Sequence, residues 1–469
     1  MLDPGASTGM SDGLPREDRM DATLRALNRF GLGARIGERE TIRDPKDWLR
    51  AQLDTDLGPT TAVGLPTLAE AGEAFRTLRE VPAGEPERAR EARFVFQGMR
   101  EAEVAFALSR RITTDTPFVE RLVAFWSNHL CVSIVGKQPL VVLAGLYERE
   151  AIRPNVLGSF TDMVLACAQH PAMLFYLDNF QSIGPQSQRA RLAARRRGQA
   201  PGLNENYARE LMELHTLGVD GGYVQADVEA LAKILTGWTL IGVGPRQSGR
   251  LEFRFDPALH EPDSKTLLGV TYRQAGQGEG EAAIRALAAH PSTARFIATK
   301  LVRHFVVDTP PPSAVDRVAG VFLESGGDLK ELARSLVELD EAWDPMTQKL
   351  RTPQDWIVAV LRAIEPRNLP LQISQMVEPL RQALWAPPSP KGYGDMIRDW
   401  ADPDGLMNRA ELSPTLVQRI VRGRIDPRGF LDVIDLPIGD PLRTTLTDSS
   451  IPVDERVAIA IAGPAFQWR

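Results

Sequence analysis

The sequence predicts an all-α, mainly helical protein: a large irregular helical bundle with at most a small β-hairpin near 251–272. Apolar residues recur every three or four positions along most of the chain, and capping residues or prolines stand where those runs begin. The alternation that marks strands occurs in one stretch only. With 469 residues, 43% of them hydrophobic and 25% charged, the chain can bury a sizeable core and is composed like a folded protein.

Residues 1–20 are rich in Gly, Pro, Ser and Asp and read as a disordered tail. From about residue 21 to 469 the pattern fits a single large helical domain. Leu24, Leu27 and Phe30 begin it, and Gly31 and Gly33 break the run. Asp44-Pro45 is an N-cap followed by a first-turn proline, and the helix it starts carries Trp48, Leu49 and Leu53. Pro86 opens a long charged helix through Ile112, and Thr116-Pro117 opens another. In the latter, Phe118, Leu122, Phe125 and His129 share one stripe, which should face the core. His170-Pro171 and His290-Pro291 mark helix boundaries, because proline disfavours the α conformation in the residue before it. Residues 184–202, with five arginines and few large apolar side chains, read as a mobile surface loop. Phe253 and Phe255 alternate with charged residues and 267–272 is β-prone, which gives the one expected hairpin. Helices then run over 281–307, 314–325, 329–339 and 353–364; a Pro- and Gly-rich loop at 386–394 interrupts them, and 453–461 closes the chain.

Composition excludes several classes of function. A formal net charge of −6 provides no overall field toward nucleic acid or anionic membranes. Two cysteines, Cys131 and Cys167, are too few for a disulfide framework. No apolar run reaches the length of a spanning helix, and the first twenty residues contain no secretory apolar core. A cytoplasmic location is therefore expected, with co-export to the periplasm beside a leader-bearing partner as the alternative. No phosphate-binding or dinucleotide glycine loop, nucleophile elbow or paired Cys-x-x-Cys is present.

The densest polar pattern lies between Asn204 and Gly218. Asn204 can cap a helix there and Gly218 can end it. On a regular helix Leu203, Tyr207, Leu211 and Leu214 form the apolar face, and Glu205, Asn206, Arg209, Glu210 and Glu213 occupy the neighbouring sector. Asn206, Glu210 and Glu213 are candidate oxygen ligands for a divalent metal, with His260 from a polar loop as a further metal candidate. Glu205, Arg209, Glu210, His215 and His129 are the catalytic candidates, as acid–base or charge-stabilising groups. Each also has a structural explanation. Glu205–Arg209 and Arg209–Glu213 are ordinary i,i+4 charge pairs, His215 suits a helix C-terminus, and His129 and His304 suit a core.

Several motifs in order carry a family resemblance: Leu27 to Gly33, Phe125 to His129, His170 to Asn179, the 204–218 segment, Gly221-Gly-Tyr223, Leu235 to Trp238 and Ala294 to Leu301. Together they are similar to the bacterial family known as domain of unknown function 1800, over a span from about residue 21 to the last residues. The resemblance implies a helical protein without an established activity. It also implies a partner or shared pathway with an alkaline-phosphatase-like protein of a second uncharacterised family, and many relatives look exported. Val224 departs from the pattern, since relatives carry a capping Thr there. Two functional readings follow: a metal-assisted enzyme with a polar pocket around helix 204–215, or a non-catalytic partner, scaffold or maturation factor for the phosphatase-like protein.

Overall fold

A computed structural model of the chain describes residues 22–57, 64–197, 202–242, 251–366, 378–420 and 425–469. The expected tail, 1–20, lies outside them. The mainly helical class holds, and one connected hydrophobic cluster reaches from Leu24 to Phe466. Among the described residues no helix is long and apolar enough to cross a membrane.

The N-terminal half runs through α1 (22–30), α2 (Pro45–Gln52), α3 (Leu68–Glu80), α4 (Pro86–Thr113), α5 (Pro117–His129) and α6 (Leu140–Tyr147). The capping chemistry behaves as the sequence dictates: the Asp44 carboxylate accepts from the Asp47 N–H at 2.8 Å, and Thr67 with Glu70 forms a capping box. After α6 come α7 (Phe160–Gln169), α8 (Pro171–Tyr176), α9 (Gln188–Arg197), α10 (Asn206–Glu210) and α11 (Gln225–Ile234). His170 and His290 do more than precede a proline, since each imidazole Nδ1 accepts the N–H two residues on, at 3.1 Å, and so caps the new helix. At the head of α11, where Val224 has no capping oxygen, Asp227 reaches back to the Val224 N–H at 2.9 Å.

Two antiparallel ribbons replace the single expected hairpin. β1 (Trp238–Ile241) pairs with β2 (Glu252–Phe255), and β3 (Lys265–Leu267) with β4 (Val270–Tyr272). The strand at 251–255 thus pairs backward in the chain. Its partner is four residues long, too short for alternation to stand out, and it is held by burial of Trp238 and by the Thr239 hydroxyl donating to the Phe180 carbonyl at 2.8 Å. The arginine-rich stretch also differs from expectation, because α9 occupies most of it. Its Ala, Leu, Gln and Arg are strong helix formers, and Ser187 accepts the Ala190 N–H at 3.2 Å. Residues 198–201 of that stretch lie outside the described residues.

The remaining helices are α12 (Gln277–Ala288), α13 (Pro291–Phe305), α14 (Pro312–Glu324), α15 (Leu329–Val337), α16 (Asp340–Trp343), α17 (Pro353–Ile364), α18 (Ile397–Trp400), α19 (Pro403–Ile420), α20 (Pro441–Thr447) and α21 (Val453–Ala462). Phe30, Phe118 and Phe305 clamp α1, α5 and α13 together, with ring centroids 5.5 to 5.9 Å apart. Each such contact adds about 0.5–1.5 kcal/mol to the area buried. The Phe118–Phe305 contact ties α5 to α13, two of the elements that line the cavity described next.

Candidate functional site

A cavity of about 360 Å³ opens between α5, α13, the start of α17 and the 382–399 loop. The stripe on α5 ends there: Phe125 and His129 are buried, and Ser127 and Asn128 turn to the cavity. On α13 the core positions Ile297, Ala298, Leu301 and Phe305 are fully buried, which leaves Lys300, Arg303 and His304 on the cavity flank. The loop forms the opposite wall because its backbone is tied down. Asn128 donates to the Tyr393 carbonyl at 3.0 Å and accepts the Tyr393 N–H at 2.8 Å, and Ser133 donates to the Pro387 carbonyl at 2.8 Å. Gly392 permits the approach: its φ is +83°, and a Cβ there would lie 2.4 Å from the Asn128 oxygen.

Each acidic group of the wall already has a donor. Glu148 accepts from Arg111 at 3.1 Å, Ser127 at 2.9 Å and the Trp385 indole at 3.0 Å. Asp355 accepts from Arg121 at 3.2 Å and pairs with Arg469 at 3.3 Å. Asp399 receives the Met396 N–H at 2.9 Å. Asp395 accepts from Nδ1 of His304 at 2.9 Å. Burial raises the Asp395 pKa, but His304, Lys349 and Arg469 outweigh it and bring it down to about 2. Since that carboxylate is ionised and can only accept, the His304 proton sits on Nδ1. Nε2 then carries the lone pair, and it is buried with no partner among the described residues. Burial lowers the His304 pKa against the pull of Asp395, so the ring is a neutral base near pH 7.

Lys300 faces the cavity with no hydrogen bond or ion pair among the described residues, its ammonium 5.6 Å from the Phe296 ring centroid. Burial brings its pKa down to about 8, with Arg303 and Lys391 acting in the same direction and Cys131 and Asp395 against it. His129 donates from Nε2 to the His215 carbonyl at 3.1 Å, which leaves Nδ1 bare. Both imidazoles are held neutral by burial and by Lys300, and His215 is brought down to about 3. Burial pushes the Cys131 thiol up to about 12, so it is no thiolate nucleophile near neutral pH.

Of the catalytic candidates, His129 lines the cavity and His215 stands directly behind it. The local reason is a π-helical turn, Leu211–His215, that continues α10. It widens the last turn, so Met212 and His215 are buried where the regular-helix count had placed Leu214, which is half-buried. Glu205 and Arg209 pair with each other at 3.3 Å and both bond to Gln225 at 2.8 Å, all with substantial exposure. Asn206 is exposed, and its N–H donates to Asn204 at 2.9 Å, so Asn204 caps as expected. Glu210 and Glu213 are half-buried and do not line the cavity. Burial, then Glu213, raises the Glu210 pKa, and the field of Glu210 reaches Cys131 and Tyr176.

His260 belongs to a different buried cluster. Its Nδ1 lies 2.8 Å from the Thr236 carbonyl and its Nε2 3.1 Å from Glu279, which also pairs with Lys265 at 3.1 Å. Glu210, Glu213 and His260 are therefore not gathered, and among the described residues no three His, Cys, Asp or Glu side chains are grouped to hold a metal ion. Sequence reasoning passed over His304, Asp395, Asp355, Lys391 and Arg398, and it met Lys300 only inside a family-like motif. The i,i+4 spacing of Lys300 and His304 was the available signal; placing His304 in the core hid it.

No curated protein and no solved structure matches the chain. The chain does match DUF1800, a family of proteins of unknown function, over residues 25–468, and with nearly its whole length inside that match it belongs to the DUF1800 family.

Proposed function

We propose that the cavity is the catalytic site of an enzyme acting on a small anionic compound, with His304 and Asp395 as its acid–base pair. One observation supports this above all. The wall carboxylates Glu148, Asp355, Asp395 and Asp399 are already engaged, whereas Lys300, Lys391 and Arg398 have no hydrogen bond or ion pair among the described residues. Lys391 and Arg398 are exposed cations on that wall, whereas Lys300 is half-buried; a cation so placed without a counterion is poorly solvated, and an anionic ligand relieves that cost. The carboxylate fixes the ring tautomer and the unpartnered Nε2 lone pair of the imidazole takes a proton, the arrangement general acid–base catalysis requires. Calorimetric titration with citrate and with inorganic phosphate tests the binding half. Lys300→Met is expected to weaken the tighter of the two at least about 10-fold, since a charge-assisted contact is worth about 1.5–3 kcal/mol. Binding of neither anion, or equal binding by the variant, would overturn the reading.

A separate, metal-assisted reading has Asn206, Glu210 and Glu213 supply oxygens to a divalent ion at the edge of α10, outside the cavity. The alternative, a scaffold or maturation partner co-exported with an alkaline-phosphatase-like protein, draws on exposed apolar side chains: Phe94 at 79% and Val95 at 47% exposure on α4. Purification from the native cell with elemental analysis and identification of co-purifying chains addresses both. A metal-free active protein removes the first, and a solitary chain removes the second.

A further inference from the structure

Resting on that reading, we infer that Lys300 is a nucleophilic amine that forms an imine with the carbonyl carbon of an anionic 2-oxo acid. Its surroundings favour this over a purely electrostatic role. The titratable groups around it are Cys131, His129 and His215, all neutral near pH 7; Arg303 and Lys391, which repel its charge; and Asp395, already committed to His304. Beneath it lies the Phe296 ring. A desolvated amine beside cations with no carboxylate on it is the known way to make lysine nucleophilic. At pH 7 a lysine titrating at about 8 is neutral in about one molecule in ten, on the order of 300-fold more than an ordinary lysine.

The neighbouring groups supply the rest of the chemistry. Arg303, Lys391 and Arg398 line the same cavity and can take the substrate carboxylate. His304 stands one helical turn beyond Lys300 on the same face of α13, with Nε2 bare. The Nζ lone pair bonds to the carbonyl carbon, the carbon–oxygen π pair moves to oxygen, and His304 Nε2 carries one of the two nitrogen protons to that oxygen, making a hydroxyl. His304 Nε2 then takes the second nitrogen proton and gives it to the hydroxyl, which leaves as water while the carbon–nitrogen double bond forms. The sum is amine plus 2-oxo acid giving imine plus water, with no oxidant or reductant consumed.

The test traps that imine. The intact protein is incubated at pH 8 with sodium pyruvate and sodium borohydride, whose hydride reduces the imine to a secondary amine, and the adduct is located by peptide mass mapping. A carboxyethyl group concentrated on Lys300 is expected, together with its loss in Lys300→Arg, which keeps the charge and, by circular dichroism, the fold. Labelling should rise with pH to half its maximum near pH 8. Adducts scattered over surface lysines such as Lys46 and Lys330, with no excess at Lys300 in the wild-type protein, would overturn the inference. If citrate binding still depends on Lys300 in that case, the anion site stands and only the imine falls; if it does not, both fall.

Discussion

Asp355→Asn is expected to destabilise the protein by about 3–5 kcal/mol, the cost of removing one partner from a buried ionic cluster. Burial alone would raise the pKa of this carboxyl, but Arg121, Arg469 and His304 hold it far below the ordinary carboxylate range. Arg121 and Arg469 are themselves almost fully buried, and Arg351 is near enough to feel the same charge. Asparagine keeps the shape but removes the anion that Arg121 and Arg469 share, leaving Asp395, 3.8 Å from Arg469, as the nearby carboxylate. Urea denaturation measures the loss. Asp115→Asn is the contrast: its pair with Arg35 at 2.7 Å leaves Asp115 91% exposed, and solvent screening leaves little to lose. Equal behaviour of the two variants would show that the Asp355 cluster is not what holds α5, α17 and the C-terminal residues together.

The second large effect is loss of stability in mild acid. The folded-state pKa values of His129, His215 and His304 all lie below the usual imidazole value, with burial the first cause in each. Between about 6.5 and the folded-state values, the unfolded chain binds protons that the native protein refuses, so stability falls as pH falls through that window. For His215, brought down to about 3, the full window is worth on the order of 5 kcal/mol. Asp395 adds a further loss only below its unfolded value near 4, as pH approaches about 2. Denaturation midpoints from pH 7 to pH 5 should therefore decline, and more shallowly in His215→Gln. A flat profile, or an unchanged slope in the variant, would contradict the burial of these rings in neutral form.

Local chemistry explains which of these features could be read early. Asp44, Pro45, Pro86, Pro117, His170 and His290 act on the residues beside them, so helix starts were legible. The stripe of Phe118, Leu122, Phe125 and His129 was legible for the same reason, since a helix converts spacing into a face. The misreadings have equally local causes. The segment now α9 looked like a loop because arginine was weighed as charge and not as a helix former. His215 was placed by a regular 100° count, and the π turn at Leu211–His215 breaks that count.

The sequence by itself determined the helical class, the caps, the buried stripes and the family, because each depends on neighbours within a few positions or on motifs in order. Only the tertiary structure decided the cavity. Asp395 meets His304 across 91 residues, Asp355 meets Arg121 across 234, and Asn128 holds Tyr393 across 265. Such contacts arise when distant segments pack on one core, and nothing in the local spacing of charges says which of them will be paired inside it and which, like Lys300, will face a cavity with no counterion among the described residues.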